Sequence, residues 1–202
     1  RKLTKADVIA PKMQLGGYRS TNYVSRGKHS GSTFSISGDV PQIIEISPKK
    51  IVAGRWLNEL DLKEKRKVCV IGSRVRDVLF EPNEDPIGEY INIQGIYFMV
   101  IGVHDLEFTS GHNDNELESI LTPLTTFQQA FNYGDRVGWY SIMAKPGYTA
   151  GEVEEQAHEI LKKLHHIHPN DPRAIGGWNA DKEFQKISGL FSAIRILVWV
   201  VG

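Results

Sequence analysis

Two clusters of histidine and acidic residues contain the side chains that acid-base catalysis or metal binding would require. The first cluster consists of His104, Asp105, Glu107, His112, Asp114, Glu116 and Glu118. Imidazoles and carboxylates can transfer protons near neutral pH. However, the irregular spacing, together with the Ser, Gly and Asn residues between them, is typical of a solvated loop. We therefore predict no catalytic site over residues 104–118.

The second cluster surrounds the end of a predicted helix. It consists of His158, His165, His166 and His168, with Glu154, Glu155 and Glu159 nearby. A zinc-binding helix of the His-Glu-x-x-His type has its second histidine four residues after the first, where this chain has Lys162. His165 and His166 would point about 100° apart on a helix, so one ion could not bind both. A cationic helix C-terminus, which complements the helix dipole, is the favoured interpretation.

The strand-to-helix turn at residues 70–74 lacks the motifs of phosphate or nucleophile chemistry. It contains the single glycine Gly72, whereas a dinucleotide fold needs three and a P-loop needs Gly-Lys-Ser/Thr. A nucleophile elbow would need a second glycine where Val75 stands. We predict that Ser73 is a helix cap, and that the chain has no catalytic, cofactor-binding or metal-binding residue.

The composition limits the partners. The 24 Lys+Arg residues balance the 24 Asp+Glu residues, and the basic run at 63–67 contains an acid and no aromatic residue. We therefore expect no nucleic-acid partner. The single cysteine, Cys69, excludes an internal disulfide and a Cys-based zinc site.

Hydrophobic periodicity and turn residues predict both strands and helices. Residues 12–33 show little periodicity, and we expect residues 51–61 to be irregular. The predicted elements are a strand at 33–40, a short helix after Pro41, a buried strand at 68–71 with a helix at 74–80, a hairpin over 90–93 and 96–103, a strand at 120–122 with a helix at 125–131, a strand at 139–144, and a long helix from Thr149 with Glu152 completing a capping box. This mixture predicts an α+β or mixed α/β fold.

The last thirteen residues, 190–202, include ten apolar ones, and Arg195 is the last charge. Thirteen helical residues reach about 20 Å, less than the roughly 30 Å of a hydrocarbon core, so this run alone cannot span a bilayer. It could be the first half of a membrane helix. A buried C-terminal helix is the alternative, because apolar residues recur at helical spacing: Phe184, Ile187, Leu190, Phe191, Ile194 and Val198.

Six segments in order resemble the periplasmic core domain of MacB-type (FtsX-like) ABC transporter permeases. They are residues 51–57 (IVAGRWL) with an acidic Asp61, 68–73 (VCVIGS), 78–80 (VLF), 86–88 (PIG), 91–93 (INI) and 98–103 (FMVIGV). Residues 120–126 resemble the strand-Pro-helix segment of that family, and residues 197–202 resemble the opening of its second membrane helix. The resemblance covers about residues 45–202 and favours a membrane helix cut short over a buried C-terminal one.

The resemblance implies a porter-like βαβ subdomain interrupted by an inserted β-rich, sabre-like subdomain. The porter-like parts would be residues 1–55 and 137–188, the insertion residues 56–136, and the start of a membrane-connecting helix residues 189–202. Six residues would have structural roles, at turns, at helix starts or where backbones approach each other: Gly54, Gly72, Pro86, Gly88, Gly102 and Pro123.

The resemblance also implies a function without chemistry in these residues. The segment would be the periplasmic part of an inner-membrane permease, and it would transmit ATP-driven motion to a substrate or to an adaptor protein. ATP would bind a nucleotide-binding domain outside this segment, which itself would need no cofactor. Expected partners are the protein's own membrane helices, that ATPase, a second copy in the full-length protein and a periplasmic adaptor. The isolated domain is expected to be a monomer.

Two other classes of function stay open at this stage. One is a metal-dependent periplasmic hydrolase that uses residues 104–118 or the histidines at 158–168. The other is a free-standing ligand-binding domain with a deep apolar pocket.

Overall fold

The computed structural model describes residues 3–16, 22–31, 34–106, 114–168, 171, 173–182 and 199. Its strands are β1 (Ala6–Gln14), β2 (Val24–Arg26), β3 (His29–Gly31), β4 (Ser35–Asp39), β5 (Lys49–Gly54), β6 (Val68–Gly72), β7 (Tyr90–Ile93), β8 (Ile96–Leu106), β9 (Ser119–Pro123) and β10 (Trp139–Ala144). Its helices are α1 (Ile43–Ile46), α2 (Glu59–Lys63), α3 (Ser73–Leu79), α4 (Asp114–Leu117), α5 (Leu124–Ala130) and α6 (Ala150–Leu164).

The chain divides into two compact units. The terminal unit comprises Arg1–Val8 and Ile142–Gly202, and the central unit comprises Ile9–Ser141. Both boundaries fall inside strands, one in β1 and one in β10. The predicted division into porter-like and sabre-like parts stays a prediction.

The central unit is built on one mixed sheet. Its strand order is β1-β4-β9-β6-β8-β7-β2-β3, and β5 also pairs with β8. The pairs β4 with β9 and β6 with β8 are parallel, whereas β1 with β4, β6 with β9 and β7 with β8 are antiparallel. Strand β8 is long enough to pair first with β7 and then with β5. The expected mixed α+β fold is therefore confirmed.

Strand β6 is buried on both faces, as its run of apolar residues predicts. Ile71 packs in a core that includes Phe34, Phe98 and Phe127, whereas the preceding Val70 packs in a separate cluster with Leu57. Alternate residues of a strand face opposite sides, so the two neighbours contribute to different cores. Cys69 is fully buried, and burial raises the pKa of its thiol, so it packs as a small apolar side chain.

Several elements agree closely with the sequence prediction. The β7–β8 hairpin turns at Gln94 and Gly95, both with positive φ, which is the type I′ turn that matches the twist of paired strands. Strand β10 has the predicted bounds. Helix α6 begins after Thr149, and both hydrogen bonds of the capping box with Glu152 are formed.

Other predictions were wrong. Residues 51–61 are not irregular, because they contain most of β5, which alternates between more and less exposed residues, and the start of α2, which is capped by Asn58. Ser73 is the first residue of α3 rather than its cap, since Gly72 occupies the cap position and makes no side-chain bond. For residues 12–33, where the sequence shows little periodicity and no element is predicted, the structure has the end of β1 and strands β2 and β3.

Almost all of the predicted C-terminal helix, residues 190–202, lies outside the described residues. In the part of the chain that is described, no helix combines the length and the apolar character that crossing a membrane requires.

Close approach of backbones requires glycine at two places in the central unit. A Cβ at Gly72 would overlap the carbonyl oxygen of Leu117, which precedes β9. Gly54 and Gly102 face each other across β5 and β8, and a Cβ on either would overlap a carbonyl oxygen, of Ile101 or of Arg55. The sequence prediction of structural glycines is confirmed at these positions.

We predict that Gly72→Ala destabilises the chain by about 1–3 kcal/mol, because the backbone of Leu117 must move to admit a methyl group. Gly176→Ala is the matched control, since a Cβ there meets no atom within 4 Å. The free energy of unfolding in urea measures both. Equal stability of the two variants would contradict the packing described here.

Candidate functional site

The structure replaces the predicted loop at 104–118 with a buried polar site around His104. His104 and Asp105 belong to β8, so they are not in a loop, and residues 107–113 lie outside the described part of the chain. His104 is fully buried, and its ring meets the ring of Trp56 edge-on at 6.5 Å. Of the predicted cluster, the structure brings Glu116 near His104, because α4 and the start of β9 pack beside β8.

The absence of a side chain at Gly72 allows His104 to reach across a strand. Gly72 is the register partner of His104, and β9 lies on the other side of β6. Nε2 of His104 lies 3.1 Å from Oγ of Ser119, which belongs to β9. The glycine therefore serves both the approach of Leu117 and this hydrogen bond.

The direction of the hydrogen bonds fixes the form of the imidazole. The hydroxyl of Ser119 donates to the backbone oxygen of Glu116 over 2.6 Å, so Oγ accepts the proton of Nε2 from His104. Nδ1 then carries a lone pair, and it is buried without a hydrogen-bond partner among the described residues. His104 is thus held neutral with its proton on Nε2.

Burial is the main cause that lowers the pKa of His104 from 6.5 to about 4. The positive charge of Lys49 lowers it further, and Lys12 adds to this, whereas Glu116 and Asp105 oppose the change. Nζ of Lys49 lies 2.7 Å from the carboxylate of Glu116, so the opposite effects of these two charges on the pKa of His104 largely offset each other. His104 is neutral at pH 7.

This arrangement does not support nucleophilic catalysis. A general base must accept the proton of the hydroxyl, but His104 donates to Ser119. Among the described residues, Nδ1 has no carboxylate to orient it, as a catalytic triad would require. The hydrogen bond between His104 and Ser119 is better described as a structural contact that joins β8 to β9.

The structure does not bring the histidines at 158–168 together into one site. His165 and His166 are exposed at the C-terminal end of α6, where His166 has a positive φ, and Glu154 instead binds Asn179 and Lys182. Within the described ranges, no group of three His, Cys, Asp or Glu side chains could hold a metal ion.

A buried carboxylate, Asp61, lies in the segments that carry the family resemblance, but the sequence alone does not predict its role. Its carboxylate is fully buried and accepts hydrogen bonds from Arg55 at 2.6 and 3.0 Å. It also accepts from the backbone N–H of Asn58, whose side chain in turn accepts from the N–H of Asp61. Nη1 of Arg66 also lies 3.5 Å from Oδ1 of this carboxylate. Burial would raise the pKa of Asp61, but the bonds from Arg55 and Asn58 outweigh it and hold the pKa below 3.8.

A second buried carboxylate, Asp39, lies at the end of β4. It accepts a 2.6 Å hydrogen bond from Ser37, and Nζ of Lys12 lies 3.2 Å away. Its other oxygen, Oδ1, has no partner within the described chain. Sequence reasoning missed Asp39 and Lys12, because only the pairing of β1 with β4 makes them neighbours.

An open cleft of about 470 Å³ is lined by two cationic residues, Arg26 and Lys28, and by His29. Each is already paired with an acid: Arg26 with Glu84 and Glu89, and both Lys28 and His29 with Glu81. The cleft therefore does not offer the unpaired positive charge that binding of an anion would need.

Comparison with known proteins identifies the class. Residues 2–160 match the family described as the MacB-like periplasmic core domain, so the chain belongs to that family. The domain is the periplasmic part of a class of ABC transporter permease.

Individual relatives share between a quarter and a third of their aligned residues with this chain. The chain is 25% identical over 174 residues to the macrolide export ATP-binding/permease protein MacB of Bdellovibrio bacteriovorus, covering 82% of this chain and 26% of that protein. It is 29% identical over 117 residues to the pyoverdine export ATP-binding/permease protein PvdT of Pseudomonas syringae pv. syringae. This match covers 57% of this chain and 18% of that protein. The chain thus spans about a quarter or less of these curated relatives.

Solved structures share the fold. The periplasmic region of MacB from Actinobacillus actinomycetemcomitans superposes with a TM-score of 0.74 at 22% identity, covering 92% of this chain and 77% of that one. The extracellular domain of the transporter YknZ from Gram-positive bacteria gives a TM-score of 0.66 at 14% identity. The superposition covers 82% of this chain and 80% of that domain.

We predict that stability falls by about 2 kcal/mol between pH 7 and pH 5 because of His104. The pKa is near 4 in the folded chain and 6.5 when unfolded, so protons bind the unfolded chain first as the pH drops below 6.5. Well above pH 6.5, His104 is neutral in both states and no longer affects the free energy of unfolding. In His104→Gln the difference between the two pH values should shrink by this amount, measured by urea unfolding. If the same substitution at the exposed His165 shrinks it equally, burial of His104 is not the cause.

We predict that Asp61→Asn costs about 2 kcal/mol or more, since the bidentate bond from Arg55 and the bond to the N–H of Asn58 lose the acceptor charge. Asp77→Asn controls for the change of charge, because Asp77 is 61% exposed and pairs only with its neighbour Arg76 among the described ion pairs. Thermal unfolding compares the two. A loss for Asp77→Asn as large as that for Asp61→Asn would contradict the role of burial.

Proposed function

We propose that this domain transmits ATP-driven motion of a permease's membrane helices to periplasmic surfaces, which act on a substrate or on an adaptor protein. The observation that carries the proposal is membership of the MacB-like periplasmic core domain family over residues 2–160. The shared fold with the MacB periplasmic region supports it over most of the chain.

The buried polar groups support a mechanical role. Arg55 holds the buried carboxylate of Asp61, and Ser119 holds the imidazole of His104. These contacts join separate elements, the segment after β5 to α2 and β8 to β9, and a domain that transmits force needs such joints. A hydrolase is not favoured, because the proton of His104 points toward Ser119.

The wider assembly is part of the same proposal. ATP would bind a nucleotide-binding domain outside these residues, and the full-length protein would be a homodimer in the inner membrane. The porter-like parts would be residues 1–55 and 137–188, the sabre-like insertion residues 56–136, and a membrane helix would begin near residue 189. Relatives are named for export of macrolides and of pyoverdine, so a small molecule is the proposed class of cargo.

A distance measurement in the full-length transporter tests this proposal. Cys69 is fully buried with a raised pKa, so within this domain a spin label would attach selectively to a cysteine introduced at the exposed Glu155 of α6, and any accessible cysteine elsewhere in the transporter would be replaced. In the homodimer, pulsed electron spin resonance should report a shift of the label-to-label distance when ATP or ATP with vanadate is added. AMP is the control nucleotide. A distance that is identical in all states of an actively hydrolysing transporter would overturn the proposal.

A further inference from the structure

The terminal unit holds α6 from two sides. On one side, the segment at residues 3–5 binds it: the N–H of Lys5 donates to Gln156 over 3.1 Å, and the Gln156 amide donates to Oγ1 of Thr4 over 3.0 Å. Nζ of Lys5 also lies 3.4 Å from the carboxylate of Glu152. These contacts fix the segment that leads into β1 to the first two turns of α6.

On the other side, the segment at residues 179–182 binds the same two turns. Asn179 and Lys182 each donate to Oε2 of Glu154 over 2.9 Å. The carboxylate of Asp181 accepts from the N–H of Ala150 over 3.1 Å, which adds a second cap to a helix end that already has its own capping box. A negative charge at this end also complements the helix dipole.

The two sets of contacts lie on opposite sides of the helix. Glu152 and Gln156 are four residues apart, so they share one face. Glu154 is two residues from each, which places it about 200° around the axis. The first two turns of α6 therefore lie between the segments 3–5 and 179–182.

We propose that these two turns of α6 are the joint through which the domain receives motion from both of its membrane connections, and that Glu154 is the positioning residue of this joint. The inference rests on the proposed function, in which segment 179–182 leads to the membrane helix proposed to begin near residue 189, and it adds the premise that a second membrane helix precedes segment 3–5. A displacement of either segment then acts on α6 directly.

Glu154 is the sensitive point, because one carboxylate holds both Asn179 and Lys182. The hydrogen bond from Asn179, followed by that from Lys182, lowers the pKa of Glu154, so the group is charged at neutral pH. Glu155, the next residue, is exposed, and its substitution gives a control with the same change of charge on the same helix.

Hydrogen exchange on this chain tests the joint itself. Glu154→Gln should increase exchange of the amides at 150–153 and 180–182 about tenfold, whereas Glu155→Gln should leave them unchanged. Glu154→Lys should act at least as strongly, and Lys182→Glu in the same chain should restore protection by reversing the pair. Equal effects of Glu154→Gln and Glu155→Gln, or no effect of either, would overturn the inference.

Transport by the full-length protein tests the coupling. Glu154→Gln should raise the number of ATP molecules hydrolysed per substrate molecule moved, and the reversed pair should bring this ratio back toward that of the unmodified protein. Faster exchange with an unchanged ratio would overturn the coupling role of Glu154 and leave the proposed function intact. No ATP-dependent motion in the unmodified transporter would overturn both.

Discussion

Contact between backbone atoms, without any intervening side chain, is the constraint on which the central unit depends. At Gly72, and at the facing Gly54 and Gly102, a carbonyl oxygen occupies the space that a Cβ would fill. Strands β5 and β8 and the end of α4 can therefore approach their neighbours more closely than side chains would allow. The same constraint explains how His104 reaches Ser119 across a strand, since nothing projects from Gly72 between them.

Close packing excludes water from several polar side chains of the central unit. A group without access to water must find its partner inside the protein, and Asp61 finds two arginines and the cap of α2. Such a network adds little net free energy, because desolvation offsets much of the attraction. Its main consequence is geometric: Arg55, which follows Gly54 at the end of β5, can bind Asp61 in two places only if β5 and α2 keep one arrangement. Buried charges held in this way keep these elements in one arrangement, which is the stiffness that the proposed function requires, and the neutral His104 donates to Ser119 instead of accepting its proton.

Local signals allowed most of the described strands and helices to be predicted, and long-range pairing decided the rest. The capping box of Thr149 with Glu152 and the Gln94-Gly95 turn act over a few residues, so the sequence reveals them directly. Strand β1 has no comparable local signal, because its place is set by β4, more than twenty residues away. His104 was assigned to a solvated loop for the same reason. Polar neighbours in the sequence suggested exposure, whereas β5, β6 and Trp56 bury it.

The separation of roles between the two units follows from where the contacts lie. In the central unit, backbone approach and buried charges fix one sheet arrangement. In the terminal unit, the contacts described around α6 are made by side chains such as Lys5, Glu154 and Lys182 at its partly exposed surface. Exposed ion pairs are individually weak and depend on salt, so this unit can yield locally at a lower free energy than the sheet. A helix of fifteen residues, roughly 22 Å long, keeps its own shape while its side-chain contacts change. The contacts around α6 are therefore the part of the terminal unit that changes at the lowest cost in free energy, while the helix itself stays intact.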